Sequence, residues 1–174
     1  EEYEIYWYLA GLPNIVRNMA LQIELDRTDR AILAALQNNA RLPNKQLAEL
    51  VGLAPSTCLE RVRALRARGV IRGYHAEVDR AALGRGIEAI VAVRIRVHAR
   101  ALVDAFWSYV LSLPETIQVF HVSGADDFLV HIAVPDVPAL HDFILDALTV
   151  RPEVAHVETH LIFDQQRKPV VEPV

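Results

Sequence analysis

The sequence predicts an α+β chain of two modules, three short helices with a wing followed by a βαββαβ sandwich of ferredoxin-like form. Three observations carry this. The hydrophobic period is helical from Leu25 to about Arg68 and becomes mixed beyond about Ile87. Charge divides at the same place: residues 26–80 hold ten Lys/Arg and six Asp/Glu, a net +4, while the rest of the 174 residues hold eight and sixteen, a net −8. Residues of the second module also recur at a constant offset of 38: Ala101-Leu102-x-Asp104 as Ala139-Leu140-x-Asp142, Pro114-Glu115 as Pro152-Glu153, and Val119 as Val157. A duplicated βαβ half is the simplest account, and two such halves form an antiparallel four-stranded sheet with both helices on one face.

The first helix opens at Asp26, a capping residue, with Asp29 in its first turn and Ile32, Leu33 and Leu36 as its apolar stripe. A second runs from about Asn44 to Val51, with Leu47, Ala48 and Val51 inward, and Gly52 turns the chain. Pro55 suits the first turn of a third, which extends to about Arg68 before Gly69. On a wheel of that helix Cys58, Val62 and Leu65 face inward. Ser56, Glu60, Arg63, Ala64 and Ala67 point away, flanked by Thr57, Arg61 and Arg68. Residues 70–78 read as an extended wing or linker strand.

In the second module, strands are expected at 89–97, 117–122, 128–134 and 154–163, and helices at 100–113 and 139–148. Val and Ile crowd both faces of the first strand, so the free sheet face is expected to be covered by another subunit. The expected boundaries are an N-terminal extension or non-native segment (1–24), a three-helix module with its wing (25–78), a linker (79–86), a sheet module that covers its free face by association (87–163) and a fraying tail (164–174).

Composition narrows the function classes. With 52% apolar residues the chain supports one ordinary core or two small ones, and one cysteine allows neither an internal disulfide nor a cysteine-built zinc site. No signal segment or membrane-length apolar run stands out, and a cytoplasmic protein with no membrane partner is expected. There is no Gly-x-Ser-x-Gly elbow, phosphate loop or metalloprotease helix, so no catalytic residue and no cofactor are assigned. Cys58 reads as a small core residue. His156, Glu158 and His160 share one strand face, but no fourth ligand is evident, and a polar subunit interface is preferred over a metal.

Leu47-Ala48-x-x-Val51-Gly52-Leu53 is a helix-turn-helix pattern, in which a small residue lets the helices approach and Gly permits the turn. The arginine-rich face of the next helix makes a DNA reader the better account. Ser123-Gly124-Ala125-Asp126-Asp127, read from its residues alone, is a routine hairpin turn whose amides could also hold a carboxylate while Asp127 pairs with an ammonium group.

Three separated motifs carry a family likeness: Leu25-Asp26-x-x-Asp29-x-x-Ile32-Leu33; Leu47-Ala48-x-x-Val51-Gly52-Leu53-Ala54-Pro55-Ser56-Thr57; and Arg61-Val62-x-x-Leu65-x-x-x-Gly69-Val70-Ile71-x-Gly73-Tyr74. With the βαββαβ module behind them, they resemble the Lrp/AsnC, or feast/famine, transcriptional regulators over about residues 25–168. The resemblance implies a winged helix-turn-helix on double-stranded DNA, joined to a domain that senses an amino acid or related metabolite and assembles homodimers into higher oligomers such as octamers. Residues 123–129 are similar to the family's turn between the second and third sheet strands, which places the effector-binding residues at Ser123, Gly124, Ala125, Asp126 and Asp127, in a cleft between dimers. Pro43 and Ala54 stand where the family often has a Ser or Thr cap.

The DNA-binding residues expected are Ser56, Thr57, Glu60 and Arg63 on base edges, with Arg61 and Arg68 on phosphates. The alternatives are an enzyme on the same scaffold, resembling sirohaem decarboxylases, and a metabolite-binding module without DNA binding. The former lacks its His-Asn-Tyr and Asn-x-Trp segments here, where the chain reads Val119-Phe120-His121 and Asp127-Phe128-Leu129. The basic face argues against the latter. Residues 1–18 precede Met19, the only methionine, and read either as upstream or non-native sequence or as an extra helix.

Overall fold

The computed structural model describes residues 24–168, 170 and 171, and the readings of residues 1–18 and Met19 lie outside them. The described chain forms two compact units, one reaching His75 and including the segment from Arg167, the other Ala76–Gln166.

The first unit holds α1 (Arg27–Asn38), α2 (Asn44–Val51) and α3 (Pro55–Ala67). Asp26 caps α1, its carboxylate accepting the Asp29 N–H at 2.7 Å. Pro43 and Ala54 offer no side-chain cap to α2 and α3. Instead the Asn44 amide donates to Pro55 O at 2.8 Å, tying the start of α2 to the first turn of α3. Gly52 sits at φ 67°, and the Leu53 N–H closes back on Ala48 O at 2.9 Å, a left-handed stop that a Cβ would strain. Ile32, Leu47, Ala48, Cys58 and Leu65 form the core. Residues 70–78 are not a strand. The described part of this unit has no sheet to pair with, and an isolated strand leaves its backbone ladder unmet.

In the described part of the tail, Val171 makes two hydrogen bonds. The Gln37 side chain accepts the Val171 N–H at 2.9 Å and donates to Val171 O at 3.2 Å, holding that residue against α1.

The second unit runs β1 (Ile87–Ile95), α4 (Arg100–Ser112), β2 (Thr116–His121), β3 (Phe128–Val134), α5 (Val137–Asp142) and β4 (Val154–Leu161). Its antiparallel sheet has the order β2-β3-β1-β4. Ala89, Val91, Val93 and Ile95 of β1 join Val119, Phe128, Val130 and Ile132 on the inner face, against Val103, Phe106 and Val110 of α4 and Leu140, Phe143 and Leu148. The single helix expected at 139–148 is instead α5 continued by a π-helical segment, Phe143–Thr149. Tyr109 Oη donates to Ala147 O at 2.9 Å and Thr149 Oγ1 to Leu145 O at 3.0 Å, so side chains supply donors to the widened segment.

The outer face is less apolar than the run of β1 suggested, because its valines fall on the inner side. By register, Ile90 lies between His131 and His160, and Ala92 between Leu129 and Glu158. His131 Nε2 meets Glu88 Oε2 at 2.7 Å, and Arg80 reaches Glu88 Oε1 at 3.2 Å.

Candidate nucleic-acid interface and effector turn

α3 is fixed by one side and free on the other. Cys58 and Leu65 are buried and Val62 half-buried, whereas Ser56, Thr57, Glu60 and Arg63 are exposed. Ser56, Glu60 and Arg63 lie at helical spacing along one stripe, with Thr57 beside them. Cys58 behaves as core, and burial raises its thiol pKa.

The flanking arginines meet partners within the chain. Arg61 Nη1 binds Asp26 Oδ2 at 2.6 Å and Asp29 Oδ1 at 2.9 Å. Arg68 donates from Nη2 to Glu24 O at 2.8 Å, and its Nη1 lies 3.8 Å from Asp29 Oδ2. Asp29 is the buried acid in this network. The Asp29 N–H, followed by Arg61, holds the Asp26 carboxyl below its ordinary range. Both arginines thus brace α3 against the start of α1, while their side chains stay 35% and 41% exposed. A helical wheel gave their direction from α3 but not the acids waiting there, which are more than thirty residues earlier in sequence.

Other arginines are better placed for an outside partner. Arg63, Arg66 and Arg72 line an open concavity of about 400 Å³ floored by Ala67 and Ile71. Neither Arg66 nor Arg72 is among the DNA-binding residues expected from the sequence. Their signal was present, since Arg66 falls in the last turn of α3 and Arg72 just beyond Gly69.

The turn at 123–127 is pinned from β1. The β1–β3 register pairs Val93 with Phe128, bringing residues 94–98 beside the turn. Asp127 accepts the Ile95 N–H on Oδ2 at 2.8 Å and His98 Nε2 on Oδ1 at 2.7 Å, and its own N–H donates to Val93 O at 3.0 Å. Arg94 Nε donates to Ala125 O at 2.6 Å, and its Nη2 lies 3.6 Å from Asp126 Oδ1. The Asp127 carboxylate, expected to pair with a ligand ammonium, fastens the turn to the end of β1. Sequence reasoning missed Arg94 and His98, whose roles depend on strand register rather than local spacing. Gly124 takes φ 132°, and Ser123, Gly124 and Ala125 are exposed. Among the described residues, the N–H groups of Ser123, Gly124, Ala125 and Asp126 donate to no partner in the chain.

His156, Glu158 and His160 stand opposite Arg94, Ala92 and Ile90, with His160 Nε2 3.8 Å from Glu158 Oε1. Among the described residues no group of three or more His, Cys, Asp or Glu is arranged to hold a metal ion. No described helix is long and apolar enough to cross a membrane.

Known proteins match both units in order. Residues 25–72 fit the family model for winged helix-turn-helix DNA-binding, and residues 88–170 fit that for the Lrp/AsnC ligand binding domain. The chain is 42% identical over 144 residues to the HTH-type transcriptional regulator AldR of Mycolicibacterium smegmatis, covering 83% of this chain and 84% of that one. It belongs to the Lrp/AsnC family. This Lrp/AsnC chain is also 37% identical to the leucine-responsive regulatory protein of Rhizobium meliloti, over 84% of its own length and 94% of the relative's. Its fold matches the crystal structure of a transcriptional regulator from Neisseria meningitidis in complex with L-Met. There the TM-score is 0.77 and the identity 32%, over 83% of this chain and 94% of that one. The protein is a DNA-binding transcriptional regulator of the Lrp/AsnC type.

Proposed function

We propose that this regulator reads DNA by sequence through Ser56, Thr57, Glu60 and Arg63, and that an amino acid or related metabolite alters its binding. One observation carries the reading: these four side chains stay exposed on α3 while Cys58 and Leu65 on its other side are buried. A recognition helix needs that combination, a rigid back and a polar front. Arg63→Ala is expected to cost about 1–3 kcal/mol on a selected site and to relax the base preference there. Unchanged affinity and selectivity on a randomised duplex pool would remove this face from the interface.

For the effector, the open amides of residues 123–126 suit a carboxylate, and the L-Met bound by the Neisseria relative supports an amino-acid class. Asp127 then acts by holding the turn in shape. Assembly at least to a homodimer goes with this reading, with Ile90, Phe120 and Leu129 on the outer sheet face available for cover.

A further inference from the structure

We infer that the concavity lined by Arg63, Arg66 and Arg72 is a seat for a DNA backbone phosphate, with Arg66 and Arg72 as the contacts that carry the salt dependence of binding. The inference rests on the DNA-reading function proposed above and adds to it a division of labour among the arginines around α3.

The five arginines between residues 61 and 72 fall into two sets by what neutralises them. Arg61 and Arg68 have Asp26 and Asp29 within 2.6 to 3.8 Å. Among the described residues, Arg63, Arg66 and Arg72 form no ion pair, although three cations converge on one open hollow. Like charges so placed repel, and a bound anion relieves that repulsion.

The backbone explains the convergence. α3 ends at Ala67, Gly69 takes φ 71°, and the Val70 and Ile71 N–H groups both return to Leu65 O, at 2.9 and 3.2 Å. This closure folds Arg72 back alongside the last turn of α3 and seats half-buried Ile71 on the core. Arg66, in that last turn, is favoured there by the helix dipole without an acidic partner. Its guanidinium lies 6.0 Å from the Tyr74 ring centroid, which limits its wandering.

The hollow therefore offers planar, multi-donor guanidinium groups on a rigid turn, the geometry suited to phosphate oxygens. It adjoins Arg63, the C-terminal member of the exposed Ser56, Glu60, Arg63 stripe. A helix whose N-terminal half addresses base edges brings its C-terminal end toward the backbone, so the two sites fit one docked duplex.

The test is the salt dependence of binding by the full chain to a short random-sequence duplex, for wild type, Arg66→Gln, Arg72→Gln, and the Lys variant at each position. Each Gln variant is expected to reduce the slope of log K against log salt by about 0.9 per engaged subunit, with affinity falling alike on all sequences. Each Lys variant keeps the wild-type slope because it keeps the charge. Wild-type slopes in both Gln variants would overturn the phosphate seat while leaving DNA binding intact. Lys variants that behave like Gln would also overturn it, because packing rather than charge would then be at work. A wild-type chain that ignores duplex DNA at every salt concentration would instead sink the DNA reading itself.

Discussion

Asp127→Ala should weaken the second unit before it affects any ligand. The carboxylate is nearly buried, at 13% side-chain exposure, and accepts the N–H of Ile95, itself 2% exposed. Alanine leaves that N–H without a partner where water has little access. Losing a hydrogen bond to a charged acceptor costs about 1.5–3 kcal/mol, and the half-exposed His98 contact adds little. A cost of about 2 kcal/mol converts to a fall of roughly 8–16 °C in the melting temperature of a unit this size. Asp127→Asn retains an acceptor for Ile95 and should lose less than half as much. Differential scanning calorimetry of the full chain measures both variants against wild type. An alanine variant that melts with wild type would refute the reasoning, and would return the carboxylate to the ligand as an available ammonium partner.

Acid should destabilise the second unit in two stages. Burial lowers the His121 pKa despite the nearby Asp127, and its ring stacks on Phe128 at 4.8 Å, so the unfolded chain takes up the proton first and stability falls as pH drops below about 6.5. Burial alone would raise the Glu88 pKa, but hydrogen bonds from Gln165 and His131, together with Arg80, bring it below 4.5, so a second loss follows below that pH. A melting temperature that stays level from neutrality to well below pH 4.5 would contradict both. In the first unit, Ile32→Ala opens a cavity among Leu47, Ala48, Cys58 and Leu65 and should cost about 2–5 kcal/mol in urea unfolding. A smaller change would mean that the three-helix core collapses around the gap.

The features legible in the sequence were those that neighbours along the chain determine. Asp26 announced its cap by type and position, and α2 and α3 could be placed by Gly52, Pro55 and the Cys58, Val62, Leu65 spacing. Period two sufficed for β3, and the offset of 38 for the halves of the sheet. What could not be read was decided by partners far away in sequence. Arg61 and Arg63 differ by two positions and look alike on a charge count, yet one turns to Asp26 and Asp29 and the other to solvent. The ties of Asp127 to Ile95 and His98 leave no local trace, because those residues come near only through the β1–β3 register. The π-helical segment was hidden because the spacing of Leu140, Phe143, Ala147 and Leu148 is compatible with an ordinary helix, and the Tyr109 bond to Ala147 O has no local trace.

The Gln37 grip on Val171 changes how the chain's connectivity should be understood. Because the segment from Arg167 belongs with the three helices, the chain leaves the first unit after His75 and re-enters it at Arg167. The sheet unit is thus an insertion with two leashes rather than an appendage with one. The leashes are unequal: the first follows the turn after α3 in sequence, while the second ends in a clasp of two exposed hydrogen bonds that water can compete for. Opening the clasp releases Val171 from α1 while the buried residues of both cores stay in place.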